Sequence, residues 1–344
     1  MKSYEITIQP ISGFGTDLRG DTLFGHFCWQ AAHDPSLLEG GLERQIANYH
    51  KKPFAVFSSA FPKLANDSTD FYALRRPHLP LSFLLFTDKH NRKERMIEAK
   101  EHRKKAWMML AENELTFDLS RARFLDDTEL CEEIAGSATQ ETKQQMRKLG
   151  LTHFMIPFNQ PHNTINRLTQ TTGTGQFAPY IQKGTYFYPD TKLAIFAVLD
   201  ESVIDIEKIL IALERIGLFG YGKDASIGMG RFKLVGHKEL PIPKQGGANA
   251  CYTLAPSVPE KDCFSKTYFR PFVRYGKHGD RLSHSANPFK NPVIMADEGA
   301  VLVPSNKQFF EKPYLGRAIM GVSKSLPETV VQGYTPYLPF NLEN

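Results

Sequence analysis

Ile206, Ile209, Leu210, Leu213 and Ile216 recur at spacings of three and four. This predicts a helix whose single apolar face lies on a sheet, with Asp205 placed as its N-cap. Gly217 is placed to stop that helix, and five glycines fall between positions 217 and 230. Such a backbone is free to take positive φ and to approach another backbone closely. Beyond the loop, Phe232 and Leu234 alternate with Arg231 and Lys233, the period of a strand with its apolar side buried.

The same reading extends to the rest of the chain. Tyr4, Ile6 and Ile8 alternate with Glu5, Thr7 and Gln9, giving a first strand that Pro10 ends. After the turn-rich Ser12–Thr16, a helix opens at Arg19–Thr22 with Asp21 as its expected N-cap and Leu23, Phe24, Phe27, Cys28 and Ala31 on its apolar face. Residues 53–86 read as extended, with a strand at Leu81–Phe86, while Arg92–Glu112 and 127–149 read as helical. Strands follow at Phe154–Phe158, around Tyr180–Tyr188 and at Leu193–Ala197. Through residue 235 the order is strand, helix, inserted segments, strand pair, helix, strand, a ferredoxin-like β-α-β-β-α-β arrangement with a large insertion. Residues 236–249, which contain Gly246-Gly247, read as a linker, dividing the chain into domains 1–240 and 241–344. Strands resume near Tyr252, Leu254, Phe269 and Phe272, and the aromatic tail 333–340 is expected to dock on the second domain. The fold class is α+β.

Composition removes several functions. A length of 344 residues suits two domains, and there is no apolar run of the ~18 residues that a membrane helix requires and no N-terminal leader. Cys28, Cys131, Cys251 and Cys263 are scattered, and His278 and His284 stand six apart with no second ligand pair, so no metal site, cofactor or disulfide framework is expected. These features are those of a reduced, cytoplasmic protein that does not engage a membrane. The net charge is +5, and residues 89–105 carry a local excess of the same size, either a solvated helix face or a nucleic-acid patch.

The glycine-rich loop also spells most of a nucleotide-binding P-loop, Gly217-x4-Gly222-Lys223. Asp224 stands where Ser or Thr would hold Mg²⁺, and the order is helix, loop, strand instead of strand, loop, helix. Nucleotide hydrolysis is excluded on that ground. Lys223, Ser226 and Arg231 among the glycines suit a polyanion, and the plain alternative is an ordinary turn. The segment 162–175, with His162, Asn163, Asn166, Arg167 and several hydroxyls and no carboxylate, suits phosphates, sugars and base edges. Tyr180, Tyr186, Phe187 and Tyr188 are either core residues or stacking platforms for bases. His26 is either a general acid or base facing a cleft, or a structural histidine among aromatic residues.

Ser12-x-Phe14-Gly15-Thr16-x-Leu18-x-Gly20-Asp21-Thr22-Leu23-Phe24-Gly25-His26, the 162–169 segment, the 220–232 loop, Pro288-Phe289-Lys290-x-Pro292 with Glu298-Gly299, and Gly333-Tyr334 through Leu338-Pro339 together carry a resemblance. They resemble the CRISPR-associated RAMP superfamily and, within it, the fourth Csm subunit that caps type III-A effector complexes. The likeness runs over nearly the whole chain except 87–150. It implies two RRM-like (ferredoxin-like) domains, the first interrupted by a thumb-like hairpin. It implies binding of the 5′ repeat-derived tag of the crRNA, and contact with the large Palm-domain signalling subunit and with a RAMP backbone subunit. Matched residue by residue, it assigns Phe14, Gly15, Thr16 and Arg19 to a tag-binding loop, His162, Asn163, Arg167 and Thr169 to the thumb, and Gly220, Gly222, Lys223, Ser226, Gly228 and Gly230 to the glycine-rich loop. Asp21 resembles, at a distance, the RNA-cleaving aspartate of backbone subunits, but its place ahead of Thr22-Leu23-Phe24 fits a helix cap. The resemblance therefore implies no catalysis. The competing expectation is a RAMP-type endoribonuclease that processes precursor guide RNA, with His26 or His162 as its acid or base.

Overall fold

A computed structural model describes residues 1–64, 69–84, 92–114, 117–241 and 247–342. Strand β1 (Lys2–Pro10) leads into α1 (Gly20–His33) and the short α2 (Leu42–Asn48), and then into β2 (Ala55–Leu64) and β3 (Phe71–Arg75). The next segments are α3 (Arg92–Lys104), β4 (Trp107–Ala111), β5 (Phe117–Asp118), β6 (Arg123–Leu125), α4 (Asp127–Ser137) and α5 (Gln140–Lys148). A hairpin of β7 (Met155–His162) and β8 (Tyr180–Phe187) precedes β9 (Lys192–Leu199), α6 (Ile206–Phe219) and β10 (Phe232–Leu240). One sheet runs in the order β10-β1-β9-β2-β3-β4-β6, with every neighbouring pair antiparallel. Its first four strands, with α1 and α6 as the connecting helices, follow a β-α-β-β-α-β order, but the insertion lies between β2 and β9 instead of ahead of the strand pair, as the sequence reading had it.

Helices α1 and α6 cover one face of this sheet. Ile6, Ile8, Phe24, Phe27, Ile209, Leu213 and Ile216 form a single buried core there. The opposite face carries Phe61, Tyr72 and Phe196, and these are buried against Tyr252, Leu254, Leu338 and Phe340 of the second half. That explains why β9 is apolar almost throughout instead of alternating: both of its faces are covered.

The second half contains β11 (Ala250–Thr253), β12 (Phe264–Tyr268), β13 (Pro271–Arg274), β14 (Val293–Ala296), β15 (Val301–Pro304), β16 (Tyr314–Gly316) and β17 (Tyr334–Asn341). Five of these form a sheet in the order β12-β15-β11-β17-β16, and β13 pairs with β14 separately. Among the described residues 247–342 there is no α-helix, only strands and 3₁₀ turns, so the second ferredoxin-like unit that the resemblance implies is not confirmed there. Strands β11 and β17 bury one face on the first sheet, and Cys251, Leu302, Leu315 and Tyr337 on the other face pack on Phe310 in a 3₁₀ turn. The halves are also stitched together. β17 pairs in parallel with β5, and the Gln332 side chain bonds both the N–H and the C=O of Phe57.

Several boundaries differ from the sequence reading. Helix α6 runs past Gly217 and ends at Phe219, with Gly220 at φ 107° as its cap. Gly217 is needed for contact instead, because a Cβ there would lie 2.3 Å from the Phe232 carbonyl oxygen. Helix α1 starts at Gly20 with Arg19 in the cap position, and Asp21 pairs with Arg274 rather than capping. The 92–112 segment is helical only to Lys104, because Trp107–Ala111 pairs with β3 as a strand. The 127–149 segment is two helices, the second capped by the Thr139 hydroxyl. Leu81–Phe83 is a 3₁₀ turn, and positions 85–86 of the expected strand lie outside the described residues, as do 89–91 of the basic run and Gly246 of the linker. Within the remainder of the basic run, Lys104 pairs with Glu101 and Lys105 with Glu129.

The covered sheet face contains a buried charge network. The Glu5 carboxylate, 1% exposed, accepts from Lys63 at 2.8 Å and Lys238 at 3.1 Å, and from the Tyr72 hydroxyl, with Asp70 and Glu112 as further anions. Burial pushes the Glu5 pKa up, and the hydrogen bonds from Lys63, Thr7 and Tyr72 outweigh that and hold it below the usual carboxylate value. Removing one member of a buried charge set leaves its partners uncompensated, so Glu5→Ala is expected to lower the unfolding free energy by about 3–5 kcal/mol. Urea denaturation of the two proteins checks this.

Candidate nucleic-acid interface

Three of the predicted segments meet around the loop that follows β1. The backbone of Phe14 makes a reciprocal pair of hydrogen bonds with Thr185 in β8, at 2.8 and 2.9 Å, so this loop is anchored to the base of the β7–β8 hairpin. On its other side it docks against the glycine-rich loop. Lys223 N–H donates to Thr16 Oγ1 at 2.9 Å, Gly230 N–H to Gly13 O at 2.7 Å, and Arg231 N–H to Ser12 Oγ at 2.8 Å. The Tyr221 hydroxyl donates to Asp17 O at 2.8 Å and accepts from Arg19 N–H.

The glycines make this docking possible. A Cβ on Gly222 would lie 2.6 Å from that of Thr16, and one on Gly15 would lie 2.9 Å from the Lys223 carbonyl oxygen. Gly230, at φ 74°, has the Tyr221 carbonyl oxygen where its Cβ would be. The amides of residues 220–223 and 227–230 all donate within the protein, so they do not form a free anion nest. What faces outward is side chains: Lys223, Ser226, Ile227, Arg231 and Lys233 are exposed, as is Gly228.

His26 belongs to this joint. Its Nε2 accepts the Gly222 N–H at 2.9 Å, and its ring packs on Tyr221 with centroids 4.8 Å apart. Desolvation there pushes its pKa down to about 4, so the ring is neutral at pH 7 and its accepting nitrogen is occupied. His162 lies elsewhere, stacked on Tyr180 at 5.1 Å with the planes 10° apart. The two histidines weighed as acid or base candidates thus belong to different parts of the fold.

The hairpin separates the thumb residues from the loops. Phe14 pairs at Thr185, whereas His162 pairs with Tyr180 five residues further along β8, a distance of roughly 17 Å at ~3.3 Å per residue. Asn163, Arg167 and Thr169 are exposed beyond that end, with Leu168 94% exposed between them. Tyr180, Ile181 and Tyr186 line the arm with exposed apolar surface, whereas Tyr188 is core. Arg19 turns the other way. Its guanidinium pairs with Asp297 and lies 4.2 Å from the Phe272 ring centroid, and Arg274 sits on the same ring at 4.8 Å while pairing with Asp21. Sequence reasoning did not find Tyr221 and Ser12 as the links between the loops. The turn signal at Ser12-Gly13 and an aromatic residue flanked by two glycines were the available marks.

No helix among the described residues is long and apolar enough to cross a membrane, and no cluster of three or more His, Cys, Asp or Glu side chains suited to a metal occurs among them. No protein-family model matches the chain, and no curated protein sequence matches it. Solved structures do match. A chain of the Csm3–Csm4 subcomplex of the type III-A CRISPR-Cas interference complex shares 16% identity and a TM-score of 0.56, over 99% of this chain and 100% of that one. A chain of a Csm1–Csm4 cassette bound to pppApA shares 17% identity and a TM-score of 0.54, over 100% and 98%, and the cassette bound to AMPPNP gives 18% and 0.54 over the same shares. The α+β fold therefore matches that of these chains over its full length. Csm4 is the component these assemblies have in common, and the chain has the fold of a Csm4 subunit.

Between pH 6.5 and 4 the unfolded chain binds a proton at His26 that the folded chain does not, so stability falls as pH drops through that window. Thermal melts at pH 7 and pH 5 are expected to show a smaller loss for His26→Gln, whose side-chain oxygen can still accept the Gly222 N–H, than for wild type. His78, His102 and His278, whose pKa values burial also lowers, add to the loss in both proteins.

Proposed function

We propose that this chain is a non-catalytic, RNA-binding subunit of a type III-A CRISPR effector complex. In this reading it anchors the 5′ repeat-derived tag of the crRNA, caps the backbone filament, and contacts the large signalling subunit and a RAMP backbone subunit in the cytoplasm. The observation that carries the proposal is the full-length match to chains drawn both from an assembly containing Csm1 and from one containing Csm3. Subunits placed between those two partners need a surface for each, and an exposed arm and a second half rich in strands offer two.

The chemistry at the loops supports RNA as the ligand. Lys223, Arg231 and Lys233 project from a rigid joint and can neutralise phosphates, with Ser226 as an uncharged donor. Asn163, Arg167 and Thr169 at the arm's end can meet splayed bases or the following phosphates. The sheet face on which RRM domains stack bases is closed here by the second half, which directs binding to loops and arm. Cleavage is disfavoured because His26 is neutral and serves as a hydrogen-bond acceptor for Gly222. Cutting of repeat RNA by the purified chain, abolished in His26→Ala, would overturn the non-catalytic reading in favour of a processing endoribonuclease.

Native mass measurement of the assembled particle, with sequencing of its RNA, is expected to yield a large partner, a backbone partner and guides sharing one 5′ end. The double variant Lys223→Ala/Arg167→Ala is expected to weaken binding of that tag-bearing RNA roughly tenfold or more at moderate salt, and to reduce the slope of log affinity against log salt by about 1–2. Fluorescence anisotropy over a salt series checks both, and unchanged affinity counts against these residues.

A further inference from the structure

Helix α3 lies outside the motifs that carry the family resemblance, and it joins β3 to β4 toward the edge of the first sheet opposite β10. One side of it is packed. Glu98, Ala99 and His102 are half-buried there, the His102 ring lies 5.0 Å from that of Phe124 in β6, and the His102 carbonyl accepts from Arg76 at 2.9 Å. The opposite side consists of Lys93, Ile97, Lys100 and Lys104, one stripe at spacings of four, three and four, and all four are exposed.

The charges of this helix are sorted by side. At 3.6 residues per turn, Lys93, Lys100, Arg103 and Lys104 fall within an arc of about 100°, and Glu94, Glu98 and Glu101 within a separate arc of about 60°. A helix face laced for solvent interleaves the two signs at spacings of three and four, whereas here Glu94 precedes Glu98 and Lys100 precedes Arg103 and Lys104. Lys104 pairs with Glu101, but Lys100 and Arg103 make no ion pair among the described residues. The acids of α4 are mostly matched elsewhere: Asp126 caps its own helix, Asp127 accepts from the Trp107 indole, Glu129 pairs with Lys105 and Glu133 with Arg123, which leaves Glu132 exposed.

Phosphate is the group that such a face suits. Lysine is a strongly hydrated point charge that protein–protein interfaces disfavour, and it neutralises phosphates along a nucleic-acid strand. Lys100 and Lys104 stand one turn apart, about 6 Å along the axis. Met96 and Ile97, 65% and 55% exposed, flank the cations with apolar surface for the intervening riboses. The base of α3 is also tied to the loop that follows β1. Trp107 at the start of β4 meets Phe154 with ring centroids 5.8 Å apart, Phe154 meets Phe187 at 5.4 Å, and Phe187 meets Phe14 at 5.4 Å. We propose that the outer face of α3 binds the phosphate backbone of an RNA strand that continues beyond the loops, without regard to its sequence. The proposal rests on the RNA-binding reading above and adds to it a second contact surface and the residues that form it.

The full chain is titrated with fluorescein-labelled uridine and cytidine 24-mer RNAs over a salt series, followed by anisotropy. Lys100→Gln/Arg103→Gln/Lys104→Gln is expected to bind both probes roughly tenfold more weakly at moderate salt, and to reduce the slope of log affinity against log salt by about 2, the value for three phosphates of a single strand. Lys261→Gln/Lys307→Gln/Lys324→Gln removes as much charge from exposed positions of the second half, and is expected to stay within about twofold of wild type. Acetylation of the wild type with sulfo-N-hydroxysuccinimide acetate, read by mass spectrometry, tests the face without any variant: bound RNA is expected to shield Lys100 and Lys104 but not Lys261 or Lys307. Equal affinities of the two triple variants, or Lys100 and Lys104 left unshielded, overturn the α3 face while leaving RNA binding by the loops intact. Binding of phosphatidylglycerol vesicles that the α3 variant loses, with RNA affinity unchanged, assigns the face to a lipid surface and overturns the proposal as well. Failure of wild type to bind either RNA overturns the RNA-binding reading, and this face with it.

Discussion

The arrangement depends on one apolar contact: the second half laid across the open face of the first sheet. Phe61, Tyr72 and Phe196 on one side meet Tyr252, Leu338 and Phe340 on the other, nearly all of them without solvent exposure. Aromatic residues on a sheet face of this kind are a usual platform for unpaired bases, and here they are buried between the two halves instead of being exposed. The same contact fixes the position of Asp297 and Glu298 beside Arg19 and Arg75, and brings Arg274 onto Asp21. The buried charges around Glu5 lie on this covered face, where their mutual pairing compensates for lost hydration.

The glycine-rich loop gains its meaning from its neighbour. Taken by itself, a backbone with five glycines invites a phosphate-cradle reading. In the folded chain its amides are spent on Thr16, Gly13, His26 and on the loop itself, and its missing side chains let two loops touch backbone to backbone. The result is a stiff ridge that carries Lys223, Ser226 and Arg231 outward. Tyr221, wholly buried, ties this ridge to the start of α1 through its hydroxyl. The β7–β8 hairpin grows from the same ridge through the Phe14–Thr185 pairing, so loop and arm share one foundation although the arm's tip is remote.

Much of the first half was legible in the residues. The alternation in 4–9, the three-four spacing in 206–216 with Asp205 as cap, and the polar tract between two strands each reported a local preference that tertiary packing did not oppose. The misread points share a cause. Gly217, Asp21 and Trp107–Ala111 were judged by local rules, and each answers to a distant partner: the Phe232 carbonyl, the Arg274 guanidinium and strand β3.

Sequence by itself thus determined the α+β class, the first strand and helix, helix α6 with its cap and the strand after it, the exposed donors of the arm and the excess of cations near the glycines, because these follow from period, capping and charge along a short stretch of chain. Only the tertiary structure decided that the described residues of the second half hold strands and 3₁₀ turns without an α-helix, that Arg19 faces Asp297, that His26 is a hydrogen-bond acceptor, and that Ser59 and Glu298 share one cleft. Those outcomes join residues some two hundred or more positions apart, and which of many compatible partners a polar group or an apolar face takes is settled by the packing of the whole chain.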